Sequence, residues 1–370
     1  MKILYFTDSL NCKDGWSKYS HDLITNIAKK NDVICLVAKN SPNVKIKQLE
    51  ILKRPLKYLK IINVLLDSLK IRREIKRFNP EIIHFLCEPY AQFLFFIPSG
   101  YKTILTIHGT YALVPLKKRI NLLAKYYYKE IWKIISVSNY TKSKLKEEFQ
   151  KLFSKYHLKD KIHVITNGIE YEEQKIEKIS SGKNAKKKIL AVSTIKPRKG
   201  LVHTIEALNV YQKKYNSNFE FNIIGKFSKY NIYYNRILRI IKKYKLSDKI
   251  HFLGQVSAAI LEKHYKESHL FIMPSVYVKG HFEGFGLVFL EANAYGLPVV
   301  GSINSGCQEA IKNGISGYAI EPSNYSEIAE KIFWILEEHR IKPNDCAQWA
   351  KKNDIKFKIP EIIKLYENAQ

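Results

Sequence analysis

Two doubly wound α/β domains are what this chain predicts, on three observations. Short apolar runs that read as buried parallel strands each lead into a loop and then into apolar residues at helical spacing. That alternation breaks once, in the polar and charged stretch Tyr171 to Lys188 that ends SSGKNAKKK, and then starts again. With 370 residues, 46% of them hydrophobic and 12% aromatic, the chain is long enough to bury two cores. The expected organisation is a first domain over residues 1–175, a second over 186–345 and a helical closing segment over 346–370.

The first strand is Lys2 to Thr7, followed by the loop Asp8 to Gly15 and a helix from Trp16 with Trp16, Tyr19, Leu23 and Ile27 at helical spacing. A strand at Asp32 to Ala38 leads into Asn43 to Phe78, where eleven Lys or Arg stand against three acids. Leu49, Leu52, Leu56, Leu59, Ile62, Leu65, Leu66 and Leu69 interleave them. Such a basic amphipathic stretch either lies on an anionic bilayer with its lysines snorkelling, or packs one face on a core and solvates the other. Further strands are expected at Pro80 to Leu86, Thr103 to His108, Ile134 to Val137 and within Val164 to Ile169. The basic, tyrosine-rich segments Lys117 to Lys133 and Lys142 to Lys161 read as acceptor surface or as solvated helix faces. His108-Gly109-Thr110 falls at the C-terminal end of its strand, the edge where open α/β sheets bind ligands.

The second pattern opens with the strand Ile189 to Ser193, the loop Thr194 to Gly200 and a helix through Leu201, Ile205, Leu208 and Tyr211. Arg198 and Lys199 lie in that loop, where two cations can neutralise a diphosphate leaving group. Strands at Phe219 to Gly225, Ile250 to Gly254 and Leu270 to Pro274 follow and deliver the chain to GHFEGFGLVFLEANAYG, Gly280 to Gly296. Glycine lets a backbone approach a bulky anion, and a helix opening at Gly286 points unpaired N–H groups at it. Gly284, Phe285, Gly286 and Leu287 therefore read as a phosphate cradle. Glu283 stands before the cradle; Glu291 lies about one and a half turns into the helix, placed to accept hydrogen bonds from sugar hydroxyls. Gly296 and Pro298 stop the helix and Val299-Val300-Gly301 resumes a strand. The closing segment from Ala347 to Tyr366 reads as helical except at Pro360.

The two glutamates with seven residues between them, the EGFGL core, the MPS at Met273 to Ser275 and the following GLPVV resemble the donor-binding motif of glycosyltransferase family 4, retaining enzymes of the GT-B fold. The likeness extends over nearly the whole chain. It implies two Rossmann-like domains facing an interdomain cleft, the first binding acceptor and the second a nucleotide sugar, with the final helix crossing back to the first. It further implies transfer from a UDP- or GDP-sugar to a saccharide or lipid-linked acceptor, in cell-envelope polysaccharide or glycolipid synthesis, with the departing phosphate as base. The resemblance assigns Glu283 to the donor sugar hydroxyls, Glu291 to the ribose, His108 to the sugar, and Arg198 and Lys199 to the diphosphate. Gly15 corresponds to the family's glycine-rich turn, where a second glycine is common and this chain has Trp16. Gly225 closes a strand at the donor edge, and Gln255-Val256 resembles the loop beside the nucleotide base. Many members carry Gly-Arg where this chain has Ser193-Thr194, so Arg198 must supply the guanidinium. SGCQE at Ser305 to Glu309 stands where a Gly-Gly turn is usual, and Glu309 reads as structural. No Asp-x-Asp metal cluster is apparent, and the resemblance implies neither metal nor cofactor.

A net charge of +28 predicts attraction to acidic lipid, nucleic acid or phosphorylated substrates, or reflects a lysine-heavy composition that only decorates the surface. Five cysteines without paired spacing indicate neither a disulfide framework nor a zinc site, which fits a reducing cytoplasm. No signal-peptide pattern follows Met1-Lys2, and the apolar stretch around Pro89 to Tyr101 is too short to span a bilayer. Membrane contact is thus expected to be peripheral, on an anionic inner face. A nucleic-acid-binding protein is the rival on charge and Lys-Tyr neighbours, without a helix-turn-helix, RRM or zinc signature to support it. A phosphorylase or sugar-nucleotide epimerase would keep the same fold.

Overall fold

The computed structural model describes residues 1–117, 128–153, 158, 161–174, 176 and 185–368. The segments Lys117 to Lys133 and Lys142 to Lys161, and the linker Tyr171 to Lys188, lie partly outside these described residues. The chain divides into two compact units, Met1–Glu170 with Ile355–Gln370, and Tyr171–Asp354.

In the first unit the elements run β1 (Lys2–Thr7), α1 (Gly15–Ile27), β2 (Asp32–Val37), β3 (Lys47–Glu50), α2 (Ile61–Phe78), β4 (Ile82–Phe85), β5 (Lys102–Ile107), α3 (Thr110–Lys117), β6 (Lys133–Ser136), α4 (Asn139–Leu152) and β7 (Ile162–Val164). The sheet has the order β3-β2-β1-β4-β5-β6-β7 with every pairing parallel. A parallel sheet is covered on both faces, which is why β1 and β2 are apolar at consecutive positions and buried from their second residue on. α1 starts where it does because Asp14 and Ser17 form a capping box, Asp14 Oδ1 accepting from Ser17 N at 2.9 Å and Ser17 Oγ accepting from Asp14 N at 3.0 Å.

The stretch Asn43 to Phe78 is not one helix. It is the edge strand β3, a 3-10 turn at Pro55–Leu59, and α2, so the helical reading holds from Ile61 onward only. Pro55 fixes the break, since its ring favours a first-turn position and bars a helix interior. Within α2, Val64, Ile71 and Ile75 are buried, and Asp67 is paired with Lys53 at 2.7 Å. Ile62, Leu65, Leu66 and Leu69 face water instead.

The second unit comprises β8 (Lys187–Val192), α5 (Leu201–Lys214), β9 (Phe219–Ile224), α6 (Ile232–Lys243), β10 (Ile250–Gly254), α7 (Ala258–Glu267), β11 (Leu270–Ile272), α8 (Leu287–Ala294), β12 (Val299–Ser302), β13 (Gly317–Ile320), α9 (Tyr325–Leu336) and α10 (Pro343–Lys352). Its sheet is also parallel throughout, in the order β10-β9-β8-β11-β12-β13.

The last element, α11 (Ile355–Glu367), belongs to the first unit. The closing segment therefore changes unit at Ile355, not at residue 346. α10 stays with the second unit because its small face, Cys346, Ala347 and Ala350, packs on α8, and Trp349 Nε1 donates to the Ala310 carbonyl at 2.8 Å. Pro360 does not interrupt α11 either. It lies on the exposed side, and burial of Ile362, Leu365 and Tyr366 on the opposite side offsets the one backbone hydrogen bond its ring removes. The Tyr366 hydroxyl lies 2.6 Å from His84 Nδ1 and 3.1 Å from the Tyr5 hydroxyl, while His84 Nε2 lies 2.8 Å from Thr106 Oγ1. Burial, with His108 adding to it, pushes His84 down to about 3, so its ring is neutral and uses one nitrogen as donor and the other as acceptor.

Candidate active site

In the second sheet β8 and β11 are neighbours from which the strand order runs out in opposite directions. Loops leaving such a switch point diverge and open a crevice at the strands' C-terminal edge. The loop after β8 ends in a 3-10 turn, Pro197–Lys199, and in Gly200 with φ +72. A Cβ at Gly200 would fall 1.8 Å from the Pro274 carbonyl oxygen, so both conformation and space demand glycine. The loop after β11 locks against this turn through Val276 N, which donates to the Arg198 carbonyl at 2.9 Å.

That contact brings three sequence-expected residues together. Glu283 Oε2 lies 2.8 Å from Arg198 Nη1 and 2.5 Å from Lys199 Nζ. Burial pushes the Glu283 carboxyl up, but Lys199, Arg198 and their hydrogen bonds outweigh it and hold it at about 2. Lys199 is drawn down by its own burial and by Arg198, against the raising influence of Glu283. For this coupled set the direction that stands is an ionised Glu283, because two cations contact one oxygen. The cations outnumber the carboxylate, and Oε1 receives neither bond.

α8 begins just beyond, at Gly286 with φ +81 and no side-chain cap, so its first N–H groups remain available to an anion. Phe285 is buried, so only its backbone can serve a ligand; Leu287 is half-buried. The cradle is braced from behind by the turn at Gly306, whose N–H donates to the Glu283 carbonyl at 3.0 Å and whose Cβ position would lie 1.9 Å from the Gly284 carbonyl oxygen. Glu309 is half-buried in that turn. Glu291, five residues past Gly286, accepts from the Tyr265 hydroxyl at 3.3 Å, and Tyr265 stacks on Tyr295 at 5.4 Å. That hydroxyl belongs to α7. Val256 sits half-buried after β10, two strands from β8. At Gly225, φ is +146 and a Cβ would lie 2.0 Å from the Ser193 carbonyl oxygen. This close approach of backbones accounts for that glycine without a ligand.

The first sheet reverses its order at β1 and β4, and two groups meet beside that edge. His108, after β5, donates Nε2–H to the Leu86 carbonyl at 2.9 Å, and Tyr19 meets its ring edge-on at 4.8 Å. Burial pushes the imidazole down to about 4, against the pull of that carbonyl. The ring is neutral, and Nδ1 is its acceptor. Glu88, 3% exposed and the first residue of the 3-10 segment that follows β4, accepts from His108 N at 2.7 Å through Oε1, while Oε2 makes no hydrogen bond. Burial pushes Glu88 up to about 7, against its own amide, the His108 and Gly109 amides and the Trp16 indole. The sequence reading passes over Glu88. The signal available was an acid between a buried strand and a proline, Phe85-Leu86-Cys87-Glu88-Pro89, at the ligand edge. Gly15 is the first residue of α1, with nothing within 4 Å of where a Cβ would stand, so neither conformation nor the chain's own packing demands glycine there. Its neighbour Trp16 packs on Tyr111 at 4.9 Å.

Residues 172–353 match the family model of Glycosyl transferases group 1, and residues 14–173 match that of Glycosyltransferase Family 4. An uncharacterized glycosyltransferase of Methanocaldococcus jannaschii is 31% identical over 219 residues, 56% of this chain and 52% of that protein, so the chain spans about half the length of this relative. A glycosyltransferase from Rickettsia africae has a crystal structure that aligns over 100% of this chain and 98% of its own, with TM-score 0.76 and 22% identity. The HepE protein of Anabaena, crystallised with UDP-glucose, aligns over 100% of both chains, with TM-score 0.73 and 16% identity.

Proposed function

The chain belongs to glycosyltransferase family 4 and has the GT-B fold, and from that premise we propose that it transfers a sugar from a nucleotide-sugar donor to a saccharide or lipid-linked acceptor, with retention at the anomeric carbon. The observation that carries this reading is the Arg198–Lys199–Glu283 cluster before the uncapped start of α8. Its excess positive charge suits a diphosphate. On donor binding the phosphates take over the two cations and the amides of Gly284 to Leu287, and the Glu283 carboxylate turns to the sugar hydroxyls. Glu291 takes the ribose. As the glycosidic bond breaks, negative charge collects on the phosphate facing donors that are already fixed in place, which is where such donors lower a barrier. The departing phosphate accepts the acceptor's proton on the same face. His108, with Nδ1 as acceptor, receives a hydroxyl of the sugar. A UDP-sugar is the first donor to test, because a protein of the same fold was crystallised with UDP-glucose.

The test is nucleoside diphosphate release across UDP-, GDP- and ADP-sugars with a membrane lipid extract as acceptor source. Release from one donor, abolished in Glu283→Ala and lowered roughly 100-fold in Lys199→Ala, is expected. No release from any of them, with tight and salt-dependent binding of nucleic acid, overturns the reading.

The lipid-linked acceptor is supported by α2. Ile62, Leu65, Leu66 and Leu69 are between 47% and 75% exposed, and Lys70, Arg72, Arg73 and Arg77 are exposed on the same helix. An apolar ridge flanked by cations suits the surface of an anionic bilayer. Among the described residues no helix is long and apolar enough to cross a membrane, so this contact is one of lying on the surface. Cosedimentation with anionic vesicles at physiological salt tests it, and absence of binding removes the membrane from the proposal.

A further inference from the structure

Of the five cysteines, Cys35, Cys87, Cys307 and Cys346 are buried and Cys12 is exposed. Cys12 sits in the loop between β1 and α1 with φ +57, a left-handed conformation that is strained for a side-chain-bearing residue. Its sulfur, a ring nitrogen of His21 and a carboxylate oxygen of Asp22 all lie within 4.8 Å of one another. His21 Nδ1 is 2.9 Å from Asp22 Oδ1, and the almost fully buried Asp22 also holds Lys18 Nζ at 3.3 Å. The thiol's own hydrogen bond goes to the Leu10 carbonyl oxygen at 4.0 Å, and the imidazole is the charged group beside it. Asp22 above all, with the neighbouring Cys12, raises His21 to about 10, against burial, so the ring stays cationic at neutral pH. The order Asp, His, Cys sets an oriented imidazolium beside a nucleophile.

A metal site fits these residues less well. Asp22 is spent on the imidazole and Lys18, which leaves sulfur and one nitrogen, whereas zinc sites draw three or four protein ligands. A packing role is excluded by the exposure of Cys12. An imidazolium beside an accessible thiol is instead the surrounding that makes a cysteine reactive.

We propose that Cys12 is a covalent-modification site, a thiol activated by His21 in the orientation set by Asp22, which takes up a low-molecular-weight disulfide such as oxidised glutathione. The Cys12 sulfur forms a bond to one glutathione sulfur and the original disulfide breaks; the departing sulfur takes the His21 proton to leave as glutathione, and the proton lost from the Cys12 thiol replaces it on the ring. No oxidant beyond the disulfide is needed. The adduct stands two residues before Asp14, the cap of α1, the helix whose Trp16 and Tyr19 pack on Tyr111 and His108. Its effect on turnover rests on the transferase reading; the thiol chemistry does not.

The experiment incubates the full chain with oxidised glutathione at neutral pH and follows the adduct by peptide mass spectrometry. One glutathione on Cys12 is expected, roughly tenfold slower in His21→Gln and restored to within about threefold in His21→Lys, which returns a cation, with unchanged melting temperatures. Loss of melting temperature in both variants would send the comparison to Lys18→Met and Asp22→Asn, where slower labelling of a folded chain is again expected. An equal rate in wild type and His21→Gln, or no adduct on Cys12, overturns the proposal. So does stoichiometric zinc in the purified protein that blocks labelling until it is chelated, which assigns the cluster to a metal. Because mass is read and not turnover, a His21-dependent adduct on a chain that releases no nucleotide leaves this inference standing and removes the transferase reading alone.

Discussion

Glu88 is a carboxylic acid that folding keeps protonated toward neutrality. Its value rises from 4.5 to about 7 in the folded chain, so between these limits the folded state binds the extra proton. The preference is fully present below the unfolded value and is lost as pH climbs through the folded one, leaving an ionised buried group that costs about 3 kcal/mol. Glu88→Gln removes the ionisation and keeps the shape. Melting curves should show the variant gaining on wild type between about pH 5 and pH 8, a span set by the two values, and an equal difference at both ends would deny the assignment. Lys199 allows a different test. Lys199→Ala leaves the buried Glu283 carboxylate with Arg198 alone, an expected loss of about 3 kcal/mol in urea unfolding. It should also lower nucleoside diphosphate release by roughly 100-fold, since a donor to the leaving group is gone. A variant that unfolds earlier but turns over normally would make Lys199 a purely structural cation.

At the scale of elements, α2 separates what packs from what does not. Ile71→Ala should cost about 2–5 kcal/mol, because it empties a buried site. Leu66→Glu with Leu69→Glu should leave the melting temperature unchanged and cut binding to anionic vesicles by about tenfold or more, through lost apolar burial and lost charge attraction. Vesicle binding that survives both glutamates would move the membrane contact elsewhere. Periodicity cannot say which apolar face meets the core. Val64, Ile71 and Ile75 and the set Ile62, Leu65, Leu66 and Leu69 are equally helical in spacing, and only tertiary partners such as the 3-10 segments Pro55–Leu59 and Glu88–Phe96 decide between them. Strands are far more legible, since a run such as Ile3-Leu4-Tyr5-Phe6 is apolar at consecutive positions for one physical reason, burial on both faces. The Arg198, Lys199 and Glu283 cluster is legible too, each residue standing in a loop at the end of an apolar strand. Glu88 is not, because its meaning depends on β4 lying beside β1, a pairing between residues nearly eighty apart in sequence.

At the scale of the whole molecule, each unit is organised at the point where its strand order reverses, and one element joins sequence-distant ends. Tyr366→Phe tests that join. It removes the hydroxyl that meets both His84 Nδ1 and the Tyr5 hydroxyl, and a buried group left without its partner costs about 1–3 kcal/mol. Urea unfolding followed by a probe in the first unit should register the loss, while unfolding of the second unit stays in place.

The return of α11 also bears on how the protein is made. Domains tend to fold as they leave the ribosome, the earlier one first. Here the strands that surround Tyr5 and His84 emerge early, yet the helix that closes over them is translated only after the whole of Tyr171–Asp354. A nascent chain therefore carries an open apolar seam on its first half through the synthesis of its second. Any product cut short within the second half keeps that seam exposed, which marks it for chaperones and proteases while the finished chain passes unrecognised.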